Sequence, residues 1–234
     1  MSGRSGRPSS SRRSANEPIR RRRLIPARLL VLPASAAEPS LRFETRFAHL
    51  GYARVAGVDE AGRGPLAGPV VASAVLLGDP RAFRGVRDSK ALSPHERERL
   101  FAVILREARA VGVGIASWAV IDRVNILRAT RLAMARSLAR LRPAADLALV
   151  DGRDAVPGRV PSYPVVRGDR LSLSIAAASI VAKVTRDLLM DRYDRLYPGY
   201  GFALHRGYPT AAHRAAIRRL GPSPIHRRSF RLLG

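Results

Sequence analysis

From about residue 52 onward, short apolar runs are separated by polar segments. The earliest of these runs have the pattern of β-strands. The runs at 55–58 and 70–77 have the length of strands and are separated by a glycine-rich turn, so we expect them to pair. Further strands are predicted at 111–120, 147–150 and 163–166. The 147–150 run is apolar throughout, which is typical of a strand buried on both faces.

Helices are predicted between and after these strands. Ser93, Pro94 and Glu96 have the order of an N-cap, a proline at the first helical position and an early acid, so a helix should run from there to about residue 110. Later helices are expected at 126–141, 174–197 and 210–220. Paired strands followed by strands that alternate with helices predict an α/β protein with a mixed sheet and helices on its faces.

Size and composition indicate one domain without membrane spans or disulfides. The 234 residues can bury a sizeable core, and no apolar run approaches the roughly 18 residues that a membrane span needs. The chain has no cysteine, which excludes disulfides and thiolate metal sites. We therefore expect a cytoplasmic monomer, with no membrane partner, in which any metal ligands are carboxylates or histidines.

The charge balance indicates a polyanionic partner. The chain has 42 Lys and Arg residues against 18 Asp and Glu residues, for a net charge of +24. Residues 1–46 contain eleven arginines and three glutamates, so the rest of the chain still carries +16. A body this basic attracts phosphate polymers, with an affinity that falls steeply with salt. Coding bias explains the choice of arginine over lysine but not the shortage of acids.

Residues 1–48 are predicted to be a disordered basic extension, followed by a folded domain over 49–234. Ser, Arg, Pro and Gly dominate the first 23 positions, a composition that cannot bury enough apolar surface to become ordered. The favoured interpretation is an arm that adds nonspecific affinity for nucleic acid. An organelle transit peptide, a signal peptide and a start codon placed too early are the alternatives.

Acidic residues follow three of the predicted strands. Asp59 and Glu60 follow the first strand, Asp151 follows the strand at 147–150, and Asp169 follows the last one. In an open α/β sheet, ligands gather where strand ends and their loops converge. Taken singly, each acid is also explained as a turn residue or a solvated surface acid. Together, four carboxylates at one edge would hold two divalent ions about 4 Å apart, which clamp a phosphodiester between them.

A glycine–arginine–glycine turn, formed by Gly62, Arg63 and Gly64, directly follows the first acidic pair. Glycines allow the backbone of a polyanion to come close, and the guanidinium of Arg63 can fork onto a phosphate. Together with the acids, this turn favours a metal-dependent enzyme that acts on nucleic acid.

A series of segments between residues 50 and 232 resembles the signature of ribonuclease HII, in the expected order. The segments are GVDEAGRGPLAGPVV at 57–71, DSK at 88–90, NILRAT at 125–130, LVDG at 149–152, GD at 168–169, AASIVAKVTRD at 177–187, GYPT at 207–210 and PIHRRSF at 224–230. A single motif of this kind would be weak evidence of resemblance, whereas the whole series in the expected order is specific to this family.

The resemblance implies a ribonuclease H-like fold, with a mixed five-stranded central sheet flanked by helices and a helical C-terminal portion. It implies an endonuclease that hydrolyses the RNA strand of RNA–DNA hybrids and incises duplex DNA 5′ of single embedded ribonucleotides, leaving 3′-hydroxyl and 5′-phosphate ends. The family's catalytic and metal-binding acids fall on Asp59, Glu60, Asp151 and Asp169. The implied cofactors are two divalent ions, Mn²⁺ or Mg²⁺, consistent with all-oxygen ligation.

The resemblance also implies how the substrate is recognised. The backbone of Gly62, Arg63 and Gly64 would lie against the ribose 2′-hydroxyl, which is the group that distinguishes a ribonucleotide from its DNA neighbours. Tyr208 would stack on the next sugar. The remaining candidates for phosphate or active-site contacts are Arg63, Lys90, Ser179 and Lys183.

Several of these residues also have purely structural interpretations. Tyr208 has the spacing of a core tyrosine with a hydrogen-bonded hydroxyl, and Lys183 that of a lysine on a helix surface. Asp187 is either a supporting acid or the i+4 partner of Lys183. The histidines lack metal-ligand spacing, and His226 is expected to be structural or near a phosphate. Leu204 stands where the family pattern has a basic residue.

Two alternatives remain, one from a different class of protein and one a sister enzyme. A noncatalytic basic protein that binds nucleic acid would have no use for carboxylates that face a phosphate backbone, yet all four acids are intact. The sister enzyme ribonuclease HIII needs long hybrid tracts and carries a folded N-terminal platform domain. Residues 1–48 are too short for that domain.

Overall fold

The computed structural model describes residues 38–233 and shows a mixed five-stranded sheet in the order β3-β2-β1-β4-β5. The strands are β1 (Val55–Ala61), β2 (Val70–Leu76), β3 (Ala110–Ala116), β4 (Leu147–Asp151) and β5 (Ser162–Val165). The first three strands form an antiparallel meander, whereas β4 lies parallel to β1 and β5 parallel to β4. The expected mixed five-stranded sheet is confirmed.

Helices cover both faces of the sheet. They are α1 (Arg42–His49), α2 (Pro94–Glu107), α3 (Trp118–Val124), α4 (Ile126–Ala139), α5 (Leu173–Leu196), α6 (Phe202–His205) and α7 (Ala211–Leu220). Alternate residues of β2 pack into two cores, one beneath α4 and the other beneath α2 and α5. Among the described residues, no helix combines the length and apolarity that crossing a membrane requires.

Local sequence signals set most of the helix ends. The capping box predicted before α2 is present, since Ser93 Oγ accepts from the Glu96 N–H and the Glu96 carboxylate accepts from the Ser93 N–H. The strand predicted over 111–120 is wrong beyond residue 116. Ser117 there caps a new helix by accepting a hydrogen bond from the Val120 N–H, so the apolar run continues as α3.

The boundary predicted at residue 48 also needs correction. Residues 1–37 of the expected extension lie outside the described residues. Helix α1, however, begins at residue 42 and buries Phe43 and Phe47. Its Glu44 Oε1 accepts hydrogen bonds from the Ser172 hydroxyl at 2.6 Å and the Ser174 N–H at 2.9 Å, where α5 begins. Residues 42–48 therefore belong to the folded domain.

Helix α5 crosses β1 at very close range, and a glycine makes this possible. A Cβ atom added at Gly57 would lie 2.0 Å from the backbone carbon of Ser174. The contact is between two backbones, so no side-chain movement can relieve it. Because Gly57 is two residues before Asp59, this packing also sets where the acidic end of β1 lies.

We expect Gly57→Ala to lower the free energy of unfolding by about 2 kcal/mol or more, because α5 must move away from the sheet. Urea denaturation of the purified variant measures this. Gly158→Ala is the matched control, since Gly158 is exposed and a Cβ there meets nothing within 4 Å. Equal stability of the two variants would contradict the packing argument.

Candidate active site

The four acids predicted from the sequence converge at one end of the sheet. Asp59 and Glu60 occupy the end of β1, and Asp151 ends the parallel neighbour β4, one step beyond the last registered pair, Val58 with Val150. Asp169 lies in a short 3₁₀ turn, Gly168–Arg170, after β5.

A hydrogen bond ties two of these positions together. The N–H of Gly168 donates to Asp151 Oδ1 at 2.7 Å, which fixes the turn that carries Asp169 against the end of β4. The N–H of Glu60 donates to Asp59 Oδ1, also at 2.7 Å. The backbone at the strand ends therefore orients the carboxylates.

Burial and the charges of neighbouring acids oppose ionisation of Asp59 and Glu60. The pKa of Asp59 is raised well above its ordinary value by burial first, and then by the charges of Glu60 and Asp151. Burial likewise raises the pKa of Glu60, although Arg63 pulls it down in part. A bound cation would reduce the repulsion between these carboxylates and favour their ionised forms.

Asp169 experiences the same crowding. Its pKa is raised by burial and by the charges of Asp151 and Asp88, against the opposing effect of Lys90. Asp88 is a buried acid whose part in this electrostatic field was missed by the sequence argument. Its Oδ1 accepts from the Lys90 N–H at 3.0 Å, and Arg170 Nε lies 3.4 Å from its Oδ2.

Each of the four acids keeps one oxygen open. Within residues 38–233, no hydrogen bond reaches Asp59 Oδ2, Glu60 Oε2, Asp151 Oδ2 or Asp169 Oδ1, and none of these atoms is a buried, unpartnered oxygen. In the same part of the chain, no group of three or more acidic or histidine side chains has the spacing of a metal site. The carboxylate oxygens of the four acids are the hard ligands that Mg²⁺ and Mn²⁺ prefer.

Two cationic side chains stand at the rim of the acids. Lys90 Nζ is 3.8 Å from Asp169 Oδ2, and the side chain is 81% exposed. Burial lowers the pKa of Lys90, but the charges of Asp169 and Asp88 outweigh that effect and raise it overall. Arg63 Nη1 lies 3.4 Å from Glu60 Oε1 and is half exposed. Both cations are accessible to a phosphate that approaches the acids.

The glycine turn and Tyr208 are neighbours. Gly62 adopts φ +97°, in the left-handed region that favours glycine. A Cβ atom added at Gly64 would lie 3.7 Å from Tyr208 Cε1, and the Leu66 N–H donates to the Gly207 carbonyl at 2.7 Å. Tyr208 is 43% exposed, so its ring is available for stacking.

Ser179 and Lys183 are placed differently from the other candidates. Ser179 is buried, and its hydroxyl donates to Ser89 Oγ at 2.7 Å, so it supports the turn that carries Lys90. Lys183 Nζ donates to both carboxylate oxygens of Asp187, at 2.6 and 2.7 Å. Asp187 is thus the i+4 partner of Lys183, and the structure does not bring this lysine to the four acids.

A buried histidine pair lies behind Tyr208. His226 Nδ1 accepts from the Ser223 N–H at 2.9 Å, so the proton of a neutral His226 is on Nε2. That proton is donated to His213 Nε2 at 3.0 Å, and His213 Nδ1 donates in turn to the Tyr208 carbonyl at 2.9 Å. His226 is thus buried and hydrogen-bonded, as expected for a structural residue, and the pair holds the backbone of Tyr208.

Comparison with known proteins shows what the chain resembles. A family model described as ribonuclease HII matches residues 56–233. Over 189 residues the chain is 57% identical to the ribonuclease HII of Geobacter sulfurreducens, covering 81% of this chain and 87% of that protein. The ribonuclease HII of Syntrophotalea carbinolica is 54% identical over 203 residues, covering 87% and 97%. The crystal structure of ribonuclease H2 from Pyrococcus horikoshii OT3 matches with a TM-score of 0.65 at 28% identity, covering 76% and 94%.

The histidine pair makes stability depend on pH. Burial lowers the pKa of both His213 and His226 to about 4, against about 6.5 in an unfolded chain. As the pH falls below 6.5, the unfolded state takes up protons first. The free energy of unfolding is therefore highest above pH 6.5 and decreases as the pH falls towards 4. For one such histidine the decrease is about 2 kcal/mol at pH 5.

We expect His213→Gln to reduce the change in unfolding free energy between pH 7 and pH 5, measured by urea denaturation at both values. His95→Gln is the control, because His95 is exposed on α2. A pH dependence that is unchanged in His213→Gln would contradict a neutral, hydrogen-bonded pair.

Proposed function

The chain belongs to the ribonuclease HII family, and we propose that it incises duplex DNA on the 5′ side of a single embedded ribonucleotide by two-metal-ion catalysis. As a member of this family it is a ribonuclease H, an endonuclease that cleaves the RNA of RNA–DNA hybrids. One observation carries the finer proposal. The Gly62–Gly64 turn, in which Arg63 and Gly64 are exposed, lies between the four acids and the exposed ring of Tyr208.

The four acids are proposed as the ligands of Mn²⁺ or Mg²⁺. Enzymes of this family depend on divalent metal ions, and the open oxygens of Asp59, Glu60, Asp151 and Asp169 match the hard oxygen ligands that these ions take. When bound, such ions stabilise charge on the phosphate and lower the pKa of the attacking water. The raised pKa values of Asp59, Glu60 and Asp169 support this assignment, because a cation would relieve their repulsion.

The rest of the site is proposed to orient the substrate. Lys90 and Arg63 would each contact a phosphate, since both are exposed cations beside the acids. The backbone of the glycine turn would contact the ribose 2′-hydroxyl, and Tyr208 would stack on the sugar that follows. In this proposal the scissile phosphate would lie at the acids, on the 5′ side of the ribonucleotide, and cleavage would give 3′-hydroxyl and 5′-phosphate ends.

The charge of the chain suits a nucleic-acid substrate. The net charge of +24 supports an electrostatic affinity for nucleic acid, which would position the duplex before the 2′-hydroxyl is tested. Contacts from Ser179 and Lys183, a monomeric state and a cytoplasmic location remain predictions from the sequence.

The proposal is tested on a labelled DNA duplex that contains one ribonucleotide, incubated with Mn²⁺ or with EDTA and resolved on a denaturing gel. We expect metal-dependent incision directly 5′ of the ribonucleotide. Asp59→Asn should abolish this incision while it leaves duplex binding intact or tighter, because it removes a negative charge and a proposed metal ligand but no phosphate contact. Incision only within long hybrid tracts, or full turnover by Asp59→Asn, would overturn the proposal.

Tyr208 offers a second test. Loss of one stacked aromatic ring costs about 1–3 kcal/mol, so Tyr208→Ala should lower kcat/KM on the single-ribonucleotide duplex by about five- to 150-fold. Tyr208→Phe keeps the ring and should stay close to the wild type. If both variants lose activity equally, the phenol hydroxyl rather than stacking would be responsible.

A further inference from the structure

Two arginines lie buried directly beneath the glycine turn. Arg186, on α5, is 1% exposed, and Arg227, near the C-terminus, is fully buried. Within residues 38–233 neither forms an ion pair with a carboxylate. Burial lowers the pKa of Arg227 to about 9 and that of Arg186 to about 10, so both remain cations at neutral pH. Buried cations without a carboxylate partner need another set of acceptors.

Arg227 takes its acceptors from the glycine turn. Its Nη2 donates to the carbonyl of Gly62 at 2.6 Å, and its Nη1 donates to the carbonyl of Arg63 at 2.9 Å. Its Nε donates to the carbonyl of Gly68 at 3.0 Å. One guanidinium thus holds both ends of the segment that follows β1.

Arg186 joins the same segment to the turn that carries Tyr208. Its Nε and Nη2 donate to the carbonyls of Pro69 and Ala67, at 3.1 and 3.2 Å. Its Nη1 donates to the carbonyl of Arg206 at 3.0 Å, two residues before Tyr208. The guanidinium is also why residue 62 is a glycine, since a Cβ there would lie 2.1 Å from Arg186 Nε.

These bonds determine the direction in which the turn presents its N–H groups. In a trans peptide, the carbonyl and the N–H of the next residue point in opposite directions. The carbonyls of Gly62 and Arg63 point inward to Arg227, so the N–H groups of Arg63 and Gly64 point away from it. Both residues are exposed, and within the described chain no acceptor takes either N–H.

We propose that Arg227 and Arg186 are positioning residues for ribonucleotide recognition. Arg227 aims the N–H groups of Arg63 and Gly64 at the substrate, and Arg186 fixes the distance between that turn and Tyr208. The proposal rests on the function proposed above and deepens it, because it assigns the discrimination between ribonucleotide and deoxyribonucleotide to two side chains that do not touch the substrate.

The test compares binding to two duplexes that differ by one 2′-hydroxyl, a single-ribonucleotide duplex and the same sequence in DNA, both without activating metal. We expect the wild type to prefer the ribonucleotide by about three- to tenfold, the range of one hydrogen bond. Arg227→Lys keeps the charge but cannot span three carbonyls. It should lose this preference while its affinity for the all-DNA duplex is unchanged, and Arg186→Lys should behave in the same way.

The matched control is Arg228→Lys, which makes the same chemical change at the exposed neighbouring arginine and should keep the preference. The melting temperature of each variant is measured alongside. A folded Arg227→Lys that still prefers the ribonucleotide would overturn the proposal. If the wild type itself shows neither preference nor incision, the proposed function fails instead, so the two failures are distinguishable.

Hydrogen exchange on the wild type tests the same geometry without a variant. The N–H groups of Arg63 and Gly64 should exchange rapidly in the free protein and become protected by the single-ribonucleotide duplex, and less by the all-DNA duplex. Strong protection in the free protein would mean that these groups point inward, and would overturn the assignment even if the lysine variants fail to fold.

Discussion

Repulsion among buried carboxylates is the constraint around which this end of the molecule is built. Asp59 is buried at the end of β1, with Glu60, Asp151 and Asp169 close enough to raise its pKa. This crowding of negative charge destabilises the folded protein, and the packing of the sheet and helices around the acids offsets that destabilisation. The parallel pairing of β1 with β4 and the Gly57 contact with α5 hold the acids in place despite their repulsion.

The positively charged side chains near these acids fall into an exposed pair and a buried pair. Lys90 and Arg63 are exposed at the rim, where they moderate the repulsion and remain available to a phosphate. Arg186 and Arg227 are buried, and backbone carbonyls rather than carboxylates accept their hydrogen bonds. The first pair can touch the substrate, whereas the second pair can act only through the backbone that it holds.

The C-terminal part of the chain serves chiefly to position what the N-terminal strands carry. Arg227 and Arg186 hold the segment after β1, and the chain from His226 through His213 holds the carbonyl of Tyr208. Residues far apart in the sequence therefore hold one continuous surface beside the acids.

The sequence by itself determined the five strands, most of the helices and the acidic set, because those depend on local signals. Short apolar runs predicted the five strands, and the capping box at Ser93 marked the start of α2. The acids at strand ends had to meet once β1 and β4 paired in parallel. Only the tertiary structure decided which charges are buried, since arginine is ordinarily a surface residue and nothing near Arg227 in sequence indicates its distant carbonyl partners. The same holds for the ordering of α1 by Phe43 and Phe47 and for the pairing of His213 with His226, because each depends on contacts between segments that are remote along the chain.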